Sequence, residues 1–180
     1  MLKMIRKCFL FIALTYFAAN IYSQQKPKVV SSASMINDIA FNIGGDLVEL
    51  GMIVPIGGDP HIHVPTPNDA HKVNEADLIL INGLTFEGWI TELIENSGTE
   101  GATVVVTNGV EPLRSLAYQN STDPHAWMDV GNAIIYADNI RKAFSELIPD
   151  KAETFLINFE KYKSELEALD QYIKKRSLEL

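Results

Sequence analysis

Two uninterrupted apolar runs, residues 77–82 (DLILIN) and 102–107 (ATVVVT), restrict the fold of this 180-residue chain more than any other feature. A strand with one wet face alternates apolar and polar residues. These runs do not alternate, so they read as strands covered on both faces, which is the pattern of a parallel sheet lying between helical layers. A short β-branched run at 28–32 (KVVSS) and an extended stretch at 48–56 add two more strands.

The intervening segments supply the covering helices. Apolar residues at 35, 36, 39, 40 and 43 have helical spacing, and Gly44-Gly45 ends that helix. Thr66-Pro67-Asn68-Asp69 opens another helix, running to about residue 74, with a capping hydroxyl, a proline in the first turn and an acid there. Residues 86–96 form a third, ended by Ser97-Gly98, and 129–147 a long fourth stopped by Pro149. Strands alternating with helices predict an α/β fold with a parallel sheet flanked by helices. From residue 150 the texture changes. Phe155, Phe159, Tyr162, Leu166, Leu169 and Ile173 form a single stripe along one extended amphipathic helix that reaches the end of the sequence without a stop signal.

Residues 1–23 are read separately. A basic start (Lys3, Arg6, Lys7), an apolar stretch over 9–19 and a small Ser23 before Gln24 have the layout of a secretory signal peptide. The apolar stretch is shorter than the roughly 20 residues a membrane span requires. The expected mature chain is periplasmic, with no stable membrane span. Its one cysteine, Cys8, leaves with the signal, so neither a disulfide nor a thiolate ligand is expected. Cleavage would remove three cations and no anion, taking the formal net charge from −8 to −11. Such an acidic surface repels phosphate backbones, so no nucleic acid partner is expected.

The chemistry concentrates in four histidines: His61, His63, His71 and His125. Two of them follow Asp-Pro, in GGDPHIHVPTP (57–67) and in DPHAWMD (123–129). Proline fixes its own φ and biases the preceding Asp to extended geometry, so each imidazole is presented from a stiff loop. Asp59 and Asp123 are short enough to bond nearby backbone or to accept the proton of the second ring nitrogen, which fixes the tautomer. Both loops follow strands, where ligands of open α/β sheets bind. Two turns that happen to share residues are the plainer alternative.

The surrounding sequence sharpens this. GGDPHIHVPTPNDAHKVNEADLILINGLTFEGWI, with its Glu75-Ala76-Asp77-Leu78-Ile79, Asn82-Gly83 and Glu87, and DPHAWMDVGNAIIYADNI with Trp127, resemble the two metal-binding stretches of the zinc/manganese-type solute-binding proteins of ABC transporters. The resemblance runs from about Lys28 to the end of the sequence. It implies two α/β lobes joined by one long helix, with a divalent transition metal, zinc or manganese, held between them and delivered to an ABC transporter permease. It makes His61 and His125 the first two metal ligands, with a His or Glu and an Asp to come from the second lobe. On that pattern residues 24–148 are the N-terminal metal-binding lobe, 149–180 the linking helix, and the second lobe is absent. Side chains at i and i+2 diverge in an extended chain, so His63 is read as supporting a ligand without touching the ion, or as lying at the surface, with an accessory ligand as the alternative; Asp59 and Asp123 are candidate supports.

His71, on a helix, reads as a solvated histidine, and Trp89 and Trp127 as packing residues. Asn120-Ser121-Thr122 fits a glycosylation pattern but also ordinary turn chemistry. A zinc-dependent hydrolase using the same histidines is a competing function. It would need a third ligand and a general base, and no His-Glu-x-x-His or Gly-x-Ser-x-Gly occurs. A surface adhesin is a third reading. The chain is therefore read as a binding protein, not an enzyme. Residues 111–122 (EPLRSLAYQNST) contain no histidine and one acid, which weakens zinc without establishing manganese.

Overall fold

The computed structural model describes residues 25–116 and 121–179. The expected signal segment with Cys8, and Asn120 of the glycosylation pattern, lie outside the described residues. Four strands, β1 (Lys28–Ser31), β2 (Glu49–Met52), β3 (Leu78–Ile81) and β4 (Ala102–Val105), form one sheet in the order β2-β1-β3-β4. All three pairings are parallel, with Val29 opposite both Leu50 and Leu78, and Leu80 opposite Val104. Five α-helices surround it among the described residues: α1 (Ser34–Gly44), α2 (Pro67–Asn74), α3 (Ile90–Ser97), α4 (Val130–Leu147) and α5 (Ala152–Ser177).

The period of two in the strands divides the core. Val29, Leu78 and Leu80 pack with Ile36, Ile39 and Ile43 of α1, Tyr136, Ile140 and Phe144 of α4, and Phe155 and Phe159 of α5. Val30 and Ile79 face the other way, onto Val73 of α2 and Ile90 and Leu93 of α3. The apolar run of β3 is thus consumed on both sides, as its sequence requires. The run 102–107 behaves differently. It occupies the sheet margin, so Ala102 and Thr103 are exposed and only Val106 and Thr107 are buried.

Two boundaries moved for local reasons, and one apolar stripe is only partly covered. The extended stretch 48–56 yields a ladder to Met52 and two further bonds, from Ile53 N to Ser31 O and Val54 N to Ser32 O. Pro55 then has no N–H to offer, and a turn closes from Gly58 N to Pro55 O. The helix expected from residue 86 starts at Ile90. Leu84 and Thr85 have positive φ (52° and 63°), and the Glu87 side chain turns back onto the amides of Asn82 and Gly83. The C-terminal stripe is only partly used: Phe155, Phe159 and Leu166 are buried, whereas Leu169 and Ile173 are 46% and 47% exposed. Helix α5, at 26 residues, is about 39 Å long and extends past the helices it packs on. Among the described residues no helix is long and apolar enough to cross a membrane.

Close approach of chain to chain shows at Gly101, ahead of β4. A β-carbon there would lie 2.1 Å from the Ala76 carbonyl oxygen, a backbone atom that cannot swing aside. Gly101→Ala should therefore destabilise by about 3 kcal/mol, at the upper end of ordinary overpacking costs. Urea unfolding would show it as a lower midpoint at unchanged slope.

Candidate metal centre

The C-terminal ends of three strands deliver the site. The segment after β2 carries Asp59-Pro60-His61, and the segment after β3 carries Asn82 through Trp89. The segment after β4 returns through a bridge between Arg114 and Thr122 and a bond from Asp123 N to Leu113 O, and then presents Asp123-Pro124-His125. Although 64 residues apart in sequence, the Nε2 atoms of His61 and His125 lie 3.1 Å apart. Their ring centroids are 5.2 Å apart at 64°. Phe86 packs edge-on against both, at 4.7 Å from His61 and 5.9 Å from His125, and Trp127 lies 5.3 Å from His125.

Each Asp-Pro-His triplet is closed on itself. The His61 amide donates to Asp59 Oδ1 and the His125 amide to Asp123 Oδ1, both at 2.9 Å. Asp123 does more: its Oδ1 also receives Nδ1 of His125 at 2.7 Å. These bonds from the amide and then the ring hold the Asp123 carboxyl below the usual carboxylate range. With Nδ1 of a neutral His125 donating to Asp123, its Nε2 is left as an acceptor, turned to His61.

The other two histidines are engaged elsewhere. His63 Nε2 lies 3.1 Å from Asp69 Oδ2, and its ring tilts against Trp89 at 4.8 Å. Asp69 also closes the capping box of α2 with Thr66. Burial opposes its charge, but the bonds from Thr66 and His63 together outweigh that and lower its pKa. His71 is exposed beside Glu75, at 3.5 Å. Among the described residues no group of three His, Cys, Asp or Glu side chains is placed to hold a metal ion, and His61 and His125 face each other as a pair.

Beneath the pair lies a buried polar network whose members the sequence showed only as pieces of a pattern. Glu87, 4% exposed, accepts from Asn82 N at 2.7 Å, from Gly83 N at 3.1 Å and from the Ser32 hydroxyl. Burial nevertheless pushes its pKa up. Asn82 in turn receives Tyr136 OH on Oδ1 and Thr107 Oγ1 on its carbonyl, each at 2.6 Å, and donates Nδ2 to Pro124 O at 3.0 Å. Burial, and then the charge of Glu87, raise the Tyr136 pKa. One sequence signal pointed here: an acid within an apolar segment, five residues beyond the end of a buried strand run.

The chain is similar to known proteins in sequence and in fold. The sequence matches the family described as zinc-uptake complex component A, periplasmic, over residues 29–179. It is 40% identical over 159 residues to the metal ABC transporter substrate-binding lipoprotein SsaB of Streptococcus sanguinis, covering 84% of this chain and 52% of that protein. The iron-binding protein YfeA of Yersinia pestis is 42% identical over 154 residues, covering 84% and 49%. The fold superposes on the Mn-bound periplasmic metal binding protein of Candidatus Liberibacter asiaticus with a TM-score of 0.78 at 38% identity, covering 84% of this chain and 57% of that one. The chain spans about half the length of the curated relatives it matches. Since the family match spans residues 29–179, most of the chain, the chain belongs to the zinc-uptake complex component A periplasmic family.

Proposed function

We propose that this chain carries the N-terminal half-site of an extracytoplasmic solute-binding protein that captures a divalent transition metal, zinc or manganese, and passes it to an ABC permease. His61 and His125 are the ligands it contributes. The observation that carries this reading is the 3.1 Å separation of their Nε2 atoms. Two nitrogens bound tetrahedrally at about 2.0–2.1 Å from one ion stand about 3.3 Å apart, and at right angles about 2.9 Å. The observed spacing falls between the two, so the rings can close on an ion with little movement.

Two imidazoles leave a four-coordinate ion half bound. Ile62, Val64, Leu113 and Met128 stand exposed near the two triplets, an apolar rim of the kind a covering partner buries. The remaining ligands and that cover are assigned to a second lobe, with α5 as the helix leading to it. A transport role is further supported by relatives named for metal binding and ABC transport rather than for catalysis. On this reading the protein is not an enzyme, and residues 1–23 direct it to the periplasm.

Uptake requires neutral imidazoles, so protons compete with the metal for the two ring nitrogens. Metal affinity should therefore fall steeply on acidification from about pH 7.5 to 5.5, where histidines generally gain protons. Calorimetric zinc and manganese titrations at the two pH values would test it. Affinity that holds at pH 5.5 would point to carboxylates alone and reject the assignment.

A further inference from the structure

The two triplets share more than sequence. In each, the peptide bond between proline and histidine is gripped on both edges. Its N–H side donates to the triplet's own aspartate, and its C=O side accepts from a side chain on the β3–α3 segment. Pro60 O accepts from Trp89 Nε1 at 2.7 Å, and Pro124 O from Asn82 Nδ2 at 3.0 Å. A peptide plane held at both its oxygen and its nitrogen cannot rotate, which fixes the histidine Cα and the N–Cα axis from which the side chain departs. The donors themselves are held. Asn82 is fully buried, with Tyr136 OH on its Oδ1 and Glu87 on its amide. Trp89 packs on the α2–α3 side of the sheet and against His63.

We infer that Trp89 and Asn82 are matched positioning residues, seven positions apart on one segment, that aim His61 and His125 at a common point before metal arrives. This rests on the metal-binding reading above. Neither residue would touch the ion. Their contribution is to remove the reorientation that a free loop would undergo on binding, the same effect by which outer partners of metal ligands raise affinity about 10–100-fold. One segment holding both loops also explains why Phe86, between Asn82 and Trp89, sits against both rings.

The test is a zinc titration of this chain as wild type, Trp89→Phe and Asn82→Ala, with long-range ¹⁵N–¹H spectra of the histidine rings. Trp89→Phe keeps an aromatic ring at the position while deleting the donor, so it remains informative if Asn82→Ala, which also orphans Tyr136, fails to fold. Zinc affinity should drop about tenfold in each folded variant. Of the two ligand rings, the metal-free signals of His61 should move more in Trp89→Phe, and those of His125 more in Asn82→Ala. Wild-type affinity with unmoved ring signals in Trp89→Phe would overturn the inference, as would equal disturbance of both rings. Absence of zinc binding by the wild-type chain would instead reject the metal-site reading itself.

Discussion

Replacing His125 by alanine should weaken zinc or manganese binding by more than about 100-fold, beyond the range that outer partners of a ligand produce. His61→Ala should do the same, because a pair reduced to one imidazole has no chelate to offer. The side chain at 125 is also the better supported of the two, through Asp123 at 2.7 Å. Asp123→Asn should therefore lose affinity as well, but only about tenfold, since the ring keeps its place while its donor nitrogen faces a weaker acceptor. His71→Ala is the control, since that ring is exposed beside Glu75 and should change nothing. Equilibrium dialysis against each metal would measure the ratios. Wild-type binding in both the His61 and His125 variants would end the proposal that these rings are ligands.

The second large effect concerns stability. Glu87→Ala should destabilise the protein by about 3–5 kcal/mol, because it strands three buried or half-buried donors, the amides of Asn82 and Gly83 and the Ser32 hydroxyl. That is a large share of the 5–15 kcal/mol that typically holds a domain together. Glu87→Gln should cost less, since one oxygen still accepts from Asn82, though its NH₂ then meets an amide that can only donate. The pH dependence has a definite sign. Burial holds the folded carboxyl above the ordinary glutamate value, so the folded chain binds this proton more tightly than the unfolded chain. The group's contribution to stability is therefore greatest below the ordinary glutamate pKa and declines as pH rises through the raised folded value. Denaturant unfolding of the wild type and Glu87→Gln across that window should show the slope in the former only. Equal stability of wild type and Glu87→Ala would mean the network carries little.

Much of the fold was legible because strand and helix periodicities are local. The stripe over α1, the capping Thr66 and Asp69, and the β3 run each declare themselves within a few residues. What failed was non-local. Nothing in 102–107 distinguishes a central strand from a marginal one, because position in a sheet depends on which strands pair. The start of α3 was misread because Glu87, a good helix former, is used as an acceptor for Asn82 and Gly83 instead. Trp89 read as packing alone, and its bond to Pro60 O could not be seen without the loop beside it.

The sequence by itself determined the layer architecture, the stiffness of both Asp-Pro-His loops and the family resemblance, since each rests on residue identity and short-range spacing. Only the tertiary structure decided that two rings 64 residues apart meet at 3.1 Å. It alone showed that a single segment after β3 reaches both loops. Those are consequences of parallel strands bringing their C-terminal ends to one edge, and of a buried acid and amide being satisfied there, which no local pattern encodes.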